Sequence, residues 1–204
     1  MEEIKVIQGS TEWFEVRTGL ITGSHFKDIM PTAKQKQDAW SKGQLTYLRK
    51  VAAEILTGQR EDTFKSSSMQ WGNDWEGIAR KHYEMHELAP VRECGFYQYS
   101  DFIGSSPDGI IGDNEATFEV KCPESKQHLR YLLDSGELLK DYYWQVYGEM
   151  LCTGIDKAVI CSFDPRMPVG KNLVIVNVEA KNDELENLSV RLNLAVEMIK
   201  DMVR

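Results

Sequence analysis

The chain has 204 residues, 42% of them hydrophobic and 27% charged, with six prolines and a formal net charge of −8. That composition excludes a disordered or fibrous chain and suits one domain, over residues 1–204, with a sizeable buried core. The excess of acid opposes nonspecific binding to nucleic acid, which draws its affinity from neutralised phosphates, so a polyanionic partner would have to meet a local basic channel. No apolar stretch reaches the length of a membrane span, and the first residues (MEEIKVIQGS) are acidic and polar rather than signal-like. A soluble, intracellular protein without membrane contact is expected. Cys94, Cys122, Cys152 and Cys161 are dispersed in apolar contexts with no CxxC pair, which fits buried, reduced side chains. A structural zinc or an iron–sulfur cluster is the alternative they leave.

Residues 10–30 carry two short helix signals around Gly19, the first capped by Ser10 or Thr11 and the second by Thr22 or Ser24. A helix opened by Ser24 would offer free N–H groups to an anion, with Arg17 nearby; an exposed arginine and an ordinary N-cap serine are the plainer reading. Pro31–Lys42 reads as a polar loop. A helix follows over Gln44–Leu56, with Leu45, Leu48, Val51, Ala52 and Ile55 at helical spacing and Gly58 past its end. Arg60–Lys65 is a charged connection, and Ser66–Ser68 offer caps for a second helix over Met69–His86. Its apolar stripe is Trp71, Trp75, Ile78, Ala79 and His82, with Glu76 off the stripe's centre. His82 and His86 have zinc-compatible spacing but lack the glutamate of an HExxH motif, and read as helix-surface or core residues.

From Val91 the periodicity changes to that of strands. Phe96 and Tyr97, Phe102–Gly104, Asp108–Ile111 and Thr117–Cys122 suggest a meander, with Gly112-Asp113-Asn114 as a turn. Helices return over Glu124–Leu133 and Leu138–Leu151, then strands over Ala158–Phe163 and Asn172–Val178. The last helix, Asn182–Val203, carries Leu185, Leu188, Leu192, Ala195, Ile199 and Met202 in one seam. Packing back on the sheet is expected, with a short coiled coil as the alternative. The order predicts an α/β fold in which a central mixed sheet is flanked by helices.

The chemistry concentrates in Gly104–Lys121. Asp108 lies in a Ser-Pro-Asp-Gly turn, and Glu119 and Lys121 share one face of a strand because strand side chains alternate. If the turn segment pairs with that strand, two carboxylates and the carbonyl of Val120 supply hard oxygen ligands for magnesium, and the Lys121 ammonium stands beside them. Such a set suits hydrolysis of a phosphodiester. Glu76 is the candidate extra carboxylate for a second metal or its water shell. Two plainer readings stand beside this one: Asp108 as a turn residue, and Glu119 with Lys121 as a surface ion pair.

Ser106-Pro107-Asp108-Gly109 followed by Glu119-Val120-Lys121-Cys122-Pro123 resembles the PD-(D/E)xK nuclease signature, specifically that of the lambda exonuclease family, the YqaJ-type viral recombinases. Trp13-x-x-x-Arg17-x-Gly19-x-Ile21-Thr22-x-Ser24 is similar to that family's N-terminal motif, and Trp71-Gly72-x-x-Trp75-Glu76 to its acidic helix. Tyr142-x-x-Gln145-Val146 resembles its glutamine helix, and Asp164-Pro165-Arg166-Met167 a late segment. Gly23 and His25 depart from the alanine and acidic residue expected around Ser24.

The resemblance implies a restriction-endonuclease-like core and a magnesium-dependent exonuclease, with two ions and manganese as a substitute. Such an enzyme digests one strand of duplex DNA 5′-to-3′ and leaves a 3′ single-stranded tail for recombination by annealing. It implies that Asp108, Glu119 and the Val120 carbonyl bind metal, Lys121 serves the attacking water, Glu76 completes the acidic shell and Gln145 supports the centre. Arg17, Ser24 and Ser106 would match the family's pocket for the 5′-phosphate. Tyr142 would contact the centre or the DNA. For Arg166, structural, subunit and DNA contacts stay open. The resemblance further implies a homotrimeric ring threading DNA, a single-strand annealing protein as partner, and the cytoplasm of a bacterial host of a phage or prophage. Other readings are an endonuclease or a single-strand exonuclease of the same fold, or a catalytically silent DNA- or protein-binding module.

Overall fold

A computed structural model describes residues 2–32, 34–36, 38–60 and 67–204, with side chains except at 68 and 69. In chain order the first elements are β1 (Glu2–Ile4), α1 (Thr11–Glu15), β2 (Ile21–Thr22), a 3-10 turn at Gly23–His25, α2 (Phe26–Ile29), α3 (Lys42–Thr57) and α4 (Ser67–Glu87). The strands β3 (Val91–Arg92), β4 (Phe96–Ser100), β5 (Ile103–Ser105), β6 (Gly109–Ile111) and β7 (Ala116–Lys121) follow. The chain then forms α5 (Ser125–Leu133), α6 (Gly136–Thr153), β8 (Lys157–Phe163), β9 (Leu173–Glu179) and α7 (Asn182–Val203).

The strands form two mixed sheets flanked by helices, one ordered β1-β4-β5-β2 and the other β3-β6-β7-β8-β9. In the larger sheet only β7 and β8 run parallel, Glu119 opposite Ile160 and Lys121 opposite Ser162. A parallel pair needs a crossover, and α5 and α6 supply it, packing over β8. Strand β7 is buried along Ala116–Val120 and emerges only at Lys121. Its Ala-Thr-Phe-Glu-Val run therefore places one acid, Glu119, inside the protein.

Local chemistry sets the helix ends. Ser41 and Gln44 form a reciprocal capping box, so α3 begins at Lys42, two residues earlier than its apolar periodicity suggests, and Gly58 closes it in the left-handed conformation. In α4, Ala79 and Tyr83 form the buried side, whereas Ile78, expected in the stripe, is 43% exposed. The expected connection over Glu61–Lys65 and the cap at Ser66 lie outside the described residues. The second N-terminal helix is only four residues long, preceded by the 3-10 turn, and neither has a side-chain cap bond. Ser24 thus opens no regular helix. The short strands β1, β2 and β3 add edges to both sheets that periodicity did not disclose.

The apolar seam of α7 does bury itself, with Leu188, Leu192, Ala195 and Ile199 fully enclosed. Its partners are chiefly α3 and α6 rather than the sheet, because α6 already covers that face. Arg191, wholly buried on the same helix, donates from Nε to the Ile29 carbonyl at 2.7 Å and stacks on Trp40 at 3.4 Å, tying α7 to the loop before α3.

Helices α2 and α6 touch at Gly148. A Cβ there would stand 1.9 and 2.2 Å from ring carbons of Phe26, itself wholly buried. Gly148→Ala gains helix propensity of about 1 kcal/mol, but the overpacking costs about 1–3 kcal/mol. The expected outcome is a net loss of stability, measurable by urea unfolding; a more stable variant would contradict the close approach.

Candidate active site

Antiparallel pairing of β6 and β7 puts Gly109 opposite Phe118, and this register brings Asp108 to the backbone of Val120. The Val120 N–H donates to Asp108 Oδ2 at 2.8 Å. One residue to either side, Glu119 and Lys121 project together, and the Lys121 ammonium pairs directly with Glu119 Oε1. From α6, Gln145 Nε2 donates to the same Glu119 oxygen at 2.5 Å and to Glu149 Oε1 at 3.1 Å. From α4, Glu76 lines the same cavity as Asp108 and Lys121. Tyr142 breaks the helical dihedrals of α6 (φ −118°, ψ 15°), and its ring centroid lies 4.9 Å from the Lys121 ammonium. Asp108, Glu119, Lys121, Glu76, Gln145 and Tyr142, which sequence spreads over three separate motifs, therefore meet.

Glu76, Asp108, Val120, Lys121 and Tyr142 line a cavity of about 630 Å³. Its acids are crowded. Burial, then the charges of Glu119 and Glu76, push Asp108 well above the usual carboxylate range, although Lys121 and the Val120 N–H oppose this. Burial and then Glu119 raise Glu76. Burial and then Glu119 likewise hold Glu149 well up. Burial disfavours the charged form of Lys121, but Glu119 and Asp108 outweigh it and drive its pKa upward, so the group is an ammonium.

These residues fit a divalent cation. Glu119 Oε2 and Glu149 Oε2 are buried without a hydrogen-bond partner, and the neighbouring donors are all hard oxygens. Among the described residues no three His, Cys, Asp or Glu side chains stand together as a ready cage. Two carboxylates with a main-chain carbonyl suit magnesium, which keeps several waters and needs few protein ligands. All four cysteines are free and buried, His82 packs on Phe163 at 4.8 Å, and His86 pairs with Glu87.

A second cluster lies beside the first. Ser106 Oγ accepts from Trp13 Nε1 at 2.9 Å and from Arg17 Nη1 at 3.2 Å, and the guanidinium lies 4.0 Å over the Trp13 ring. Arg17 Nε is buried without an acceptor. Burial, then repulsion from Arg60, lowers the Arg17 pKa to about 10. Arg17, Lys50 and Arg60 line a small hollow together with Glu54, and the unspent Arg17 donor could take an oxyanion there. Ser24 does not join it: it is exposed, and among the described residues it has no hydrogen bond to Arg17 or Ser106. Its neighbour Gly23 packs so tightly that a Cβ would meet Ser105 Oγ at 2.5 Å, and His25 pairs with Asp28 at 2.8 Å.

Sequence reasoning gave no role to Trp13, Arg60 or Glu149. Glu149 had a signal, since it follows Gln145 by one helical turn and therefore shares its face. Arg60 had none, because its place depends on how the loop after α3 returns to α1, where it lies 4.8 Å over the Phe14 ring.

The model of the YqaJ-like viral recombinase domain matches residues 12–156. Among solved structures, an alkaline exonuclease (LHK-Exo) from Laribacter hongkongensis is similar with a TM-score of 0.85 at 24% identity, over 95% of this chain and 94% of that one. LHK-Exo in complex with dAMP gives a TM-score of 0.84 at 25% identity, with 95% and 94% covered. A phage-related exonuclease from Haemophilus somnus 129PT gives 0.78 at 15% identity, over 90% of this chain and 95% of that one. Among curated proteins no sequence match was found. With the fold shared along nearly its whole length and the family model spanning both the Arg17 cluster and the acidic centre, the chain belongs to the YqaJ-like viral recombinase family.

Proposed function

We propose that the chain, acting as one domain over residues 1–204, is a magnesium-dependent exonuclease. It degrades one strand of linear double-stranded DNA 5′-to-3′ and leaves a 3′ overhang for recombination by strand annealing. The observation that carries this reading is the meeting of Asp108, Glu76 and Lys121 at one cavity, with buried Glu119 paired to Lys121 and with Arg17 held by Ser106, two residues from Asp108. The structural relatives, an alkaline exonuclease and a phage-related exonuclease, support the reaction class.

Asp108, Glu119 and the Val120 carbonyl would hold magnesium, with Glu76 facing its water shell and manganese able to replace it. The ion, when bound, neutralises the scissile phosphate and lowers the pKa of its water. The chain's own residues do the rest. Lys121, as an ammonium, orients the attacking water and offsets charge gathering on the phosphate. Gln145 fixes the Glu119 carboxylate through Oε1, leaving Oε2 for the ion. Arg17 and Ser106 receive a 5′-terminal phosphate, and the short chain from Ser106 to Asp108 couples that end to the cleavage point.

The same reading includes a homotrimeric ring around the DNA, which would turn basic surface inward despite the net charge of −8. It also includes a single-strand annealing protein as partner and the bacterial cytoplasm as setting. Among the described residues no helix is long and apolar enough to cross a membrane.

Digestion of linear duplexes bearing 5′-phosphate or 5′-hydroxyl ends, beside a closed circle and with magnesium present, tests the proposal. Loss of the phosphorylated strand from its 5′ end, with circles spared, is expected. Cutting of circles would instead mean an endonuclease, and DNA binding without cleavage in magnesium or manganese a silent module.

A further inference from the structure

The Asp164-Pro165-Arg166-Met167 segment has no part in the chemistry above, yet it delivers a cation to the wall of the catalytic cavity. Arg166 lines that cavity together with Lys121, Asp108 and Glu76. Lys121 is committed to Glu119 and mostly buried, whereas the Arg166 side chain is 46% exposed. Among the described lining residues, Arg166 is thus the cation that solvent, or a ligand, can reach.

Its geometry is fixed in advance. Asp164, whose side chain is wholly buried, accepts from Arg166 Nε at 2.7 Å and from Nη2 at 3.1 Å. Nη2 also donates to the Pro123 carbonyl at 3.2 Å, and the guanidinium lies 4.5 Å over the Trp71 ring. Three hydrogen bonds and one ring contact therefore hold one edge and one face of the guanidinium, while Nη1 has no hydrogen-bond partner among the described residues. The Asp164–Arg166 pair is neutral as a whole, but its negative end lies in the core and its positive end at the cavity. A group outside meets the guanidinium first.

A cap for Asp164 alone does not require this arrangement. The backbone N–H of Arg166 already donates to Asp164 Oδ1 at 3.0 Å. The long side chain instead spans from the turn after β8 to the Trp71 ring on α4 and to the Pro123 carbonyl after β7, and Trp71 and Pro123 both line the catalytic cavity. A rigid guanidinium with one free edge is suited to the oxygens of a phosphodiester.

We propose that Arg166, stacked on Trp71 and anchored by Asp164 and the Pro123 carbonyl, is a preset phosphate-binding subsite for the DNA strand in the catalytic cavity. This rests on the nuclease reading given above. Arg166 takes no part in bond breaking; it holds the backbone of the strand, and its loss weakens binding rather than turnover.

The test is equilibrium binding of a 5′-phosphorylated linear duplex in EDTA, where cleavage is suppressed, across a range of salt concentrations. Arg166→Gln is expected to weaken binding several-fold at low salt and to make the slope of log affinity against log salt shallower by about one, the loss of a single phosphate contact. Arg166→Lys, which keeps the charge, is expected to keep most of the slope. Because Arg166→Gln also disturbs Asp164, the double variant D164N/R166Q removes the charge without stranding a buried carboxylate, and it should show the same shallower slope. An unchanged slope in both glutamine variants, with only a lower melting temperature, would make Arg166 a structural cap and overturn the proposal. So would an unchanged slope accompanied by a new oligomeric state, which would assign Arg166 to a subunit contact. If the wild-type chain neither binds nor cuts the duplex, the nuclease reading falls and takes this subsite with it; if the wild type does both and the slope stays, only the subsite falls.

Discussion

Replacing Lys121 with alanine is expected to lower DNA cleavage roughly a thousandfold, the order of effect that a positioned proton-handling or charge-stabilising group has on a hydrolysis. Duplex binding should stay near wild type, because Lys121 faces inward toward Glu119 rather than along the cavity mouth. The variant also probes the metal. Glu119 is 2% exposed and loses the one ion-pair partner it has among the described residues, retaining the Gln145 hydrogen bond. Breaking a buried pair on one side costs about 3–5 kcal/mol when nothing replaces the lost charge. The melting temperature of Lys121→Ala should therefore drop in EDTA, and magnesium should restore more of it than it adds to the wild type. Single-turnover cleavage and paired melts with and without magnesium measure both. Unchanged cleavage would remove Lys121 from the catalytic set, and a magnesium-insensitive melt would argue against Asp108 and Glu119 as ligands.

The acidic centre was legible because it rests on strand geometry. Alternation alone places Glu119 and Lys121 on one face, and a turn signal at Gly112-Asp113-Asn114 folds the Asp108 segment back along them. The structure bears out that pairing through the Val120–Asp108 hydrogen bond. Glu76 was legible as a spare carboxylate on its helix and Gln145 only through a family motif, since the approach of both depends on how α4 and α6 pack against the sheet. What escaped is equally physical. Strands of two or three residues such as β1, β2 and β3 are too short to show a period, and they form because neighbouring strands offer unpaired backbone edges. The destination of α7 escaped for a related reason: its seam shows that it must be buried, but an apolar stripe does not say whether sheet or helix buries it. Ser24 shows the opposite failure. Its N-cap chemistry was real as a local signal, but the tight approach of Gly23 to Ser105 holds the segment in a 3-10 turn.

Arg17→Ala should reduce degradation of 5′-phosphorylated ends by about a hundredfold while leaving 5′-hydroxyl ends nearly unaffected, the scale expected when one partner of a desolvated charge pair is removed. The selectivity comes from what the guanidinium lacks. It is held in place by the Trp13 ring at 4.0 Å and by Ser106, yet its Nε is buried without an acceptor and Arg60 repels it. Each of those unfavourable features turns favourable when an oxyanion enters: the orphaned donor gains an acceptor, and the two cations gain a shared counter-ion. A 5′-hydroxyl brings no such charge, so the loss should be selective. The hollow itself is small, about 30 Å³, and Arg17, which lines it, also donates to Ser106, two residues from Asp108. Arg17→Lys keeps a charge but not the planar fork and should fall between wild type and Arg17→Ala. Competition between the two kinds of end in one reaction measures the preference directly. Equal losses on both ends would place Arg17 in general DNA binding or in the packing of α1 and move the end-recognition site elsewhere.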